Sequence, residues 1–199
     1  MSAEKSDIAR AVDTLVHPGD VVAIDVGSTC TAAAAVLADR DDLTVLTTSL
    51  RAALKFTESK STVIVLGGRM NSEGSLVAGS IFDHGQPIHV DIFILGCGGI
   101  SARQGISYHD LDETALRRRL LSWSKRVVLV ADHSKFERVR PFILGGVEII
   151  DTLVTSRQPS AELKAALERN KVEVVSTDAL KSESFKPTST GVGSDNTRD

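Results

Sequence analysis

The sequence has few aromatic residues and few cysteines. Aromatic side chains make up 4% of the 199 residues, and the apolar content is mostly Val, Leu, Ile and Ala, which favours α/β layers over an aromatic-rich β-sandwich. The two cysteines, Cys30 and Cys97, stand alone, without a Cys or His at metal-site spacing. Neither a disulfide framework nor a structural zinc site is expected, and a reduced, cytoplasmic setting fits this pattern.

Long apolar runs and an excess of positive charge are also lacking. No stretch approaches the roughly 18 uninterrupted apolar residues of a membrane helix, so neither membrane insertion nor secretion is expected. The formal net charge is −3, which argues against a surface built to bind the phosphates of DNA. The five histidines have no i, i+4 spacing, so neither a metal nor another cofactor is expected.

The sequence does contain seven short apolar runs that are rich in β-branched residues. They begin at Val21, Leu43, Thr62, Asp91, Arg126, Asp151 and Val172. Apolar residues occupy consecutive positions, which is typical of strands buried on both faces, so a mainly parallel sheet is predicted. Helical patterns lie between the runs, at residues 4–16, 29–38, 50–58, 113–124 and 160–168. This alternation predicts a doubly wound α/β fold with helices on both faces of the sheet.

One domain is predicted over residues 1–180. Residues 181–199 are polar, with almost no apolar side chains, and we expect a flexible tail there. The pattern between residues 70 and 89 is less regular, and it indicates a short strand at 75–78 and a short helix after Gly79. Asp110 followed by Glu113 predicts a capping box at the start of the fourth helix.

Candidate ligand-binding residues follow the predicted strands, because ligands of open α/β sheets bind beyond the carboxyl ends of the strands. Hydroxyls, glycines, acids and one lysine dominate there, which suits a phosphorylated polyol. In the loop after the first strand, Gly27, Ser28 and Thr29 would wrap an anion at a helix N-terminus. The competing interpretation is that Ser28 only caps that helix.

Three other motifs are equally open to a simple structural explanation. The glycine-rich stretch from Gly96 to Gly105 is either a tight turn or a ligand cradle. Lys135 contacts a phosphate, or it forms an ion pair with Asp132. The basic run Arg117-Arg118-Arg119 is interpreted as a solvated helix face rather than a nucleic-acid patch, since three successive residues point in three directions.

Taken together, these motifs resemble the effector-binding, C-terminal sensor domain of DeoR-family transcriptional repressors. The similarity is collinear over about residues 4–175 and includes AIDVGST, DIFILGCGGIS and GISYHDLDE, with ADHSKF the most specific piece. The resemblance implies a fold akin to ribose-5-phosphate isomerase and a phosphorylated sugar as effector. It also implies operator binding through an N-terminal winged helix-turn-helix domain.

The resemblance extends to individual positions. The predicted ligand-binding residues are Asp25, Gly27, Ser28, Thr29, Thr47, Ser49, Gly98, Gly99, Gly105, Glu113 and Lys135. Two positions depart from the family pattern: Thr48 replaces an asparagine, and Arg117 replaces a lysine, which keeps the charge but changes the hydrogen-bond geometry.

The resemblance favours a sensor over an enzyme. No helix-turn-helix pattern precedes the first helix, so we expect DNA contact only through a domain that is absent from this chain, whether trimmed or naturally missing. A homodimer or tetramer is expected, since two operator half-sites need a symmetric reader. The alternative is an aldose–ketose sugar-phosphate isomerase, but the acids of the corresponding isomerase loop are missing from Gly96-Cys97-Gly98-Gly99.

Overall fold

The computed structural model describes residues 2–72, 74–77 and 88–178. The predicted tail at 181–199 and the predicted short helix after Gly79 lie outside these residues. The described strands are β1 (Val21–Ile24), β2 (Thr44–Thr47), β3 (Thr62–Val65), β4 (Arg69–Met70), β5 (Leu76–Val77), β6 (Val90–Leu95), β7 (Gly99–Ser101), β8 (Gly105–Tyr108), β9 (Ser124–Ala131), β10 (Phe142–Gly145), β11 (Thr152–Thr155) and β12 (Glu173–Ser176). The described α-helices are α1 (Ala3–Asp13), α2 (Ser28–Leu37), α3 (Leu50–Ala53), α4 (Leu111–Trp123) and α5 (Ala161–Arg169).

Seven strands form one parallel sheet in the order β12-β11-β9-β6-β1-β2-β3. Each predicted apolar run contributes one of them, so the predicted parallel α/β sheet is confirmed. The order reverses at β1, which has β6 on one side and β2 on the other. Crevices at such reversals, beyond the carboxyl ends of the strands, are where open α/β sheets bind ligands.

Two hydrophobic layers cover the sheet, one on each face. Val22 and Ile24 of β1 belong to a layer that includes residues of α1, α2 and α3. Ala23, between them, belongs to a second layer that includes residues of α4, α5 and the strands β7 and β8. Successive side chains of a strand point to opposite faces, so a continuous apolar run supplies both layers. This is why the runs lack alternation.

The edge strand β3 departs from the predicted burial on both faces. Ile64 is 38% exposed and Val65 is 37% exposed, because β3 has a neighbour in the sheet on one side only. The predicted helix at 50–58 is also shorter than expected: α3 ends at Ala53, and a 3-10 turn follows at Leu54–Phe56. The predicted strand at 75–78 is observed as β5, paired with β4.

The glycine-rich stretch after β6 is not an irregular loop. Its residues form β7 and β8, which pair antiparallel with each other, and β8 pairs with β10 in a separate three-stranded sheet. Gly105 begins β8 with φ +70°, a conformation that glycine adopts without a steric cost. The interpretation as a tight turn is therefore right in part, and the paired strands around it were missed.

Asp110 caps α4 as predicted. Its carboxylate accepts a hydrogen bond from the Glu113 backbone N–H at 2.8 Å. The Glu113 carboxylate turns instead toward Asn71 and Arg117, so the reciprocal half of the capping box is not formed.

Replacing Asp110 with alanine is expected to lower the free energy of unfolding by about 1 kcal/mol, because the first turn of α4 loses its side-chain acceptor. Urea denaturation followed by circular dichroism measures this loss. Asp110→Asn, which keeps an acceptor oxygen, should recover most of it, and equal losses for both variants would show that the cap does not act through that oxygen.

Candidate functional site

A narrow cleft opens beyond the carboxyl end of β1, at the N-terminus of α2. Its volume is about 70 Å³, well above the roughly 10–15 Å³ that a single water molecule requires. We refer to it as the α2 cleft. It is lined by Val26, Gly27, Ser28, Thr29, Cys30, Gly96, Cys97, Val130 and Lys135.

The first turn of α2 presents its backbone N–H groups without a side-chain cap. The N-cap residue is Gly27, at φ +116°, and among the described residues no side-chain cap accepts a hydrogen bond from this end of the helix. The interpretation in which Ser28 caps α2 is therefore wrong, since Ser28 is the first helical residue. Free N–H groups and the positive end of the helix dipole favour an anion here.

Two lysines bring positive charge to the same helix end. Lys135 lines the α2 cleft from the 3-10 turn His133–Lys135. Lys5, in the first half of α1, donates from Nζ to the Ser28 hydroxyl at 2.8 Å. Two ammonium groups beside uncapped amides can bind a phosphate through charge-assisted hydrogen bonds.

Asp132 and Lys135 are not joined as an ion pair within 4.0 Å in the described part of the chain. Asp132 instead accepts a hydrogen bond from the Ser134 N–H at 2.9 Å. Burial raises the pKa of Asp132, but the Ser134 hydrogen bonds, Lys135 and Lys5 outweigh it, and the pKa lies below its usual value. Among the described residues, the Lys135 ammonium group thus has no carboxylate within ion-pair distance.

Cys97 supplies a neutral thiol to the cleft wall. Burial raises its pKa to about 12, and the nearby Lys135 only partly opposes this shift. The thiol therefore adds no negative charge at neutral pH, and it leaves the positive field of the lysines intact.

A buried ion cluster lies behind the cleft. Arg117 is only 3% exposed, and its Nε donates to the two carboxylate oxygens of Asp25 at 2.8 and 3.0 Å. Its Nη2 donates to Glu113 Oε2 at 3.1 Å, and the guanidinium lies 3.9 Å from the centre of the Tyr108 ring. The expectation of a solvated face is wrong for Arg117, because a residue four positions after Glu113 lies on the same side of α4.

The electrostatics of the cluster keep Arg117 charged. Burial alone would lower its pKa, but Asp25, Tyr108 and Glu113 more than offset this, and the pKa lies above its already high usual value. Burial also raises the pKa of Asp25, against the opposing pull of Arg117. The Asp25 carboxylate therefore depends on the guanidinium for its stability in the buried site.

Hydrogen bonds extend this cluster in two directions. Asp25 Oδ2 accepts from the Gly96 N–H at 3.1 Å, and Gly96 lines the α2 cleft. On the other side, Glu113 Oε1 accepts from Asn71 Nδ2 at 2.9 Å, and Asn71 directly follows β4. One continuous network thus runs from the cleft wall to the β4–β5 hairpin.

Some predicted site residues have structural partners of their own. The Thr47 hydroxyl donates to the Ile24 carbonyl at 2.7 Å, and Ser49 caps α3 through the Ala52 N–H. A Cβ atom at Gly99 would lie 2.2 Å from the Arg138 carbonyl oxygen. Gly98 and Gly105 are similarly enclosed, since an added Cβ atom would lie 3.0 Å and 2.1 Å, respectively, from the nearest neighbouring atom.

The predicted residues therefore divide into three groups. Those that line the cleft are Gly27, Ser28, Thr29 and Lys135. Asp25 and Glu113 belong to the network behind it, whereas Thr47, Ser49, Gly98, Gly99 and Gly105 make the internal contacts described above. Sequence reasoning missed Lys5 and Asn71, since neither lies beyond a strand of the parallel sheet. Ligand contact at every one of these positions stays a prediction.

The chain matches a family model and curated relatives. Residues 1–157 match the model described as DeoR C terminal sensor domain. The chain is 32% identical to the HTH-type transcriptional repressor GlcR of Bacillus subtilis over 180 residues, covering 89% of this chain and 69% of that protein. It is 28% identical to the glycerol-3-phosphate regulon repressor of Escherichia coli over 173 residues, covering 86% and 69% of the two chains.

The chain also aligns with solved structures. A RipA structure aligns with a TM-score of 0.55 and 14% identity, covering 92% of this chain and 52% of its own. Ribose-5-phosphate isomerase A from Methanocaldococcus jannaschii aligns with a TM-score of 0.49 and 16% identity, covering 66% of this chain and 53% of its own.

Among the described residues, no helix is both long and apolar enough to span a membrane.

Proposed function

The chain belongs to the DeoR C-terminal sensor domain family, and on this premise we propose that it senses a phosphorylated sugar for a transcriptional regulator of sugar metabolism. The observation that carries the proposal is the α2 cleft, where two lysines flank the uncapped N-terminus of a ten-residue helix. The phosphate of the effector binds there, and its hydroxyl-bearing chain extends toward the network of Asp25 and Glu113.

The phosphate fits this cleft for electrostatic reasons. Ser28 and Thr29 offer N–H groups at the positive end of α2, and Lys5 and Lys135 add two full charges. A phosphate group carries about −1.5 to −2 charges at neutral pH, so it neutralises both ammonium groups without a further counter-ion. A free sugar gains none of this attraction, and we expect it to bind far more weakly.

The buried carboxylates support sensing rather than isomerisation. A general base must be free to take a proton from the substrate. Asp25 and Glu113 are both bound to Arg117, and the loop after β6 contains glycines and Cys97 instead of acids. The chain is therefore proposed to bind the sugar phosphate without turning it over.

DNA contact is proposed to come from a part of such regulators outside the matched region. The chain spans 69% of the length of the GlcR and glycerol-3-phosphate repressors, and the former is an HTH-type protein by name. A homodimer or tetramer of sensor domains would present paired DNA-binding domains to two half-sites.

Helix α1 is the proposed route of the signal. Its first turn carries Lys5, bound to Ser28 at the cleft, and Glu4, which lies 3.3 Å from His133 Nδ1 and 3.6 Å from Arg157 Nη2. A phosphate that draws Lys5 away from Ser28 favours a different position of α1. A coupling of about 1–3 kcal/mol between the effector and the α1 position is sufficient for regulation.

A thermal-shift screen of phosphorylated and free sugars tests the proposal. Each compound that raises the melting temperature is confirmed by calorimetry and then assayed for isomerase turnover. Stabilisation by a phosphorylated sugar without turnover supports a sensor. Turnover would show that the chain is an enzyme. If none of the phosphorylated sugars binds, the proposal is refuted.

Replacing Lys135 with alanine is expected to weaken binding of phosphorylated sugars by roughly tenfold or more, since a hydrogen bond to a charged group contributes about 1.5–3 kcal/mol. The affinity for the same sugars without phosphate should hardly change. Titration calorimetry measures both. Lys164→Ala, on the outer face of α5, is the control and should change neither affinity. Equal losses of affinity for phosphorylated and free sugars would contradict a contact between Lys135 and the phosphate.

A further inference from the structure

Two buried polar atoms of the network lack a hydrogen-bond partner among the described residues. They are Ser75 Oγ and Arg117 Nη1. Ser75 is fully buried and Arg117 is 3% exposed, so neither side chain is compensated by bulk solvent. Buried polar groups in folded proteins are nearly always paired, and an exception points to a water or a ligand that completes the site.

Both residues are connected to the Glu113 carboxylate by hydrogen bonds of the network. Arg117 binds Glu113 Oε2 directly, at 3.1 Å through Nη2. Ser75 is connected to Glu113 through Asn71. The Ser75 backbone N–H donates to Asn71 Oδ1 at 3.0 Å, and Asn71 Nδ2 donates to Glu113 Oε1 at 2.9 Å. Ser75 and Arg117 are thus connected to one carboxylate from two different elements of the fold.

Hydrogen bonds connect this position to the wall of the α2 cleft. Ser75 forms an isolated bridge with Ser49, which follows β2, the sheet neighbour of β1. Asp25 follows β1, and its carboxylate connects Arg117 to Gly96 in the cleft wall. A ligand anchored at the cleft by one end would direct its remainder along the network.

The charge of the network selects among oxygen-bearing groups. The network contains two carboxylates, Asp25 and Glu113, and the single guanidinium of Arg117, so one negative charge is left uncompensated. A further carboxylate would meet this net negative charge and be disfavoured. A neutral hydroxyl both accepts from Arg117 or Ser75 and donates to Glu113.

We propose that Ser75, Arg117 and Glu113 form a polyol subsite that binds hydroxyl groups of a neutral phosphorylated sugar and discriminates against phosphorylated sugar acids. This rests on the proposed function, since the phosphate in the α2 cleft sets the direction of the ligand. Arg117 Nη1 and Ser75 Oγ donate to hydroxyl oxygens, and Glu113 accepts a hydroxyl proton in a hydrogen bond.

Three probes test the subsite on the whole chain by titration calorimetry: inorganic phosphate, sorbitol 6-phosphate and 6-phosphogluconate. The two sugar derivatives have the same number of carbons and differ at C1, which bears a hydroxyl in one and a carboxylate in the other. Sorbitol 6-phosphate is expected to bind at least about tenfold more tightly than inorganic phosphate. It should also bind more tightly than 6-phosphogluconate, although the latter carries more negative charge.

Ser75→Ala separates the subsite from the phosphate cleft. The variant is expected to weaken sorbitol 6-phosphate about three- to tenfold and to leave inorganic phosphate unchanged. Arg117→Lys keeps the charge but replaces the whole guanidinium, including its bonds to Asp25 and Glu113, and it should weaken sorbitol 6-phosphate as well. Thr155→Val is the matched control, since it also removes a buried hydroxyl that has no partner among the described residues, at the end of β11 and outside the proposed subsite.

Several outcomes would overturn the polyol subsite. If Ser75→Ala binds sorbitol 6-phosphate as tightly as the wild type, the partner of this hydroxyl is a structural water and not the ligand. The subsite is also overturned if Ser75→Ala weakens sorbitol 6-phosphate and inorganic phosphate equally. The same holds if the wild type prefers 6-phosphogluconate, or binds sorbitol 6-phosphate no more tightly than inorganic phosphate. The proposed function fails differently: then inorganic phosphate does not bind either, and Lys135→Ala changes nothing.

Discussion

Replacing Arg117 with methionine is expected to lower the free energy of unfolding by about 3–5 kcal/mol, the usual cost of breaking a buried ion pair on one side. Methionine preserves much of the length and the packing of the side chain but leaves Asp25 and Glu113 buried without their counter-ion. It also removes the guanidinium from the Tyr108 ring. Urea denaturation at neutral pH measures the loss.

The pH dependence of that loss identifies its cause. Without the guanidinium, burial raises the pKa of Asp25 further, so the folded variant binds protons more readily than the unfolded chain. Its stability deficit relative to wild type is therefore fully present at neutral pH and shrinks as the pH falls through the raised pKa. A deficit that does not change with pH would indicate lost packing instead.

Two other variants complete the experiment. Arg118→Met, at the next position of α4, removes an exposed guanidinium that donates to the Ile143 carbonyl at 2.6 Å, and its expected cost is below about 1 kcal/mol. Adding Asp25→Asn to Arg117→Met should recover part of the loss, because it removes one of the two unpaired charges. A loss below about 1 kcal/mol in Arg117→Met would contradict the account of the buried cluster.

The role of Arg117 could not be predicted from its neighbours in sequence. Three successive arginines on a helix point in three directions, and the sequence alone leads us to interpret the whole run as a solvated face, since nothing in it marks one arginine as buried. The i, i+4 spacing to Glu113 is visible in the sequence. The partner that decides the matter, Asp25, is 92 residues away, and only the packing of α4 against the end of β1 brings the two together.

The parallel sheet was predictable for a local reason. A run such as RVVLVAD supplies apolar side chains to both faces of a sheet, and a parallel sheet covered on both faces is the arrangement that buries all of them. The separate sheet of β7, β8 and β10 was not predictable in the same way. Gly99 and Gly105 lie at its strands, and glycine weakens any strand signal. Their small size is required by the neighbouring backbone of Arg138 and Gly145, which is remote in sequence.

The candidate site was predictable where it follows the strands of the sheet. Gly27 and Lys135 come directly after β1 and β9, and the rule that ligands bind beyond the carboxyl ends of strands points to both. Lys5 lies in α1, 23 residues before Ser28. Its approach to the cleft depends on how α1 packs beside α2, and no local pattern encodes that distance.

Replacing Gly105 with alanine is expected to lower the free energy of unfolding by about 2–4 kcal/mol, the sum of a strained backbone and an overpacked contact. Its φ is +70°, and a Cβ atom would lie 2.1 Å from the Gly145 carbonyl oxygen. That oxygen belongs to β10, the strand paired with β8, so it cannot move without disturbing the pairing. Urea denaturation measures the loss.

Gly19→Ala is the matched control, because Gly19 has a similar φ of +82° but nothing within 4 Å of the added Cβ atom. Its loss should be only about 1–2 kcal/mol, the cost of the left-handed conformation alone. The difference between the variants therefore isolates the contact with β10. If Gly105 only keeps β8 and β10 in register, the folded fraction of Gly105→Ala binds sorbitol 6-phosphate like wild type. A selective loss of affinity at unchanged stability would instead make Gly105 a ligand contact.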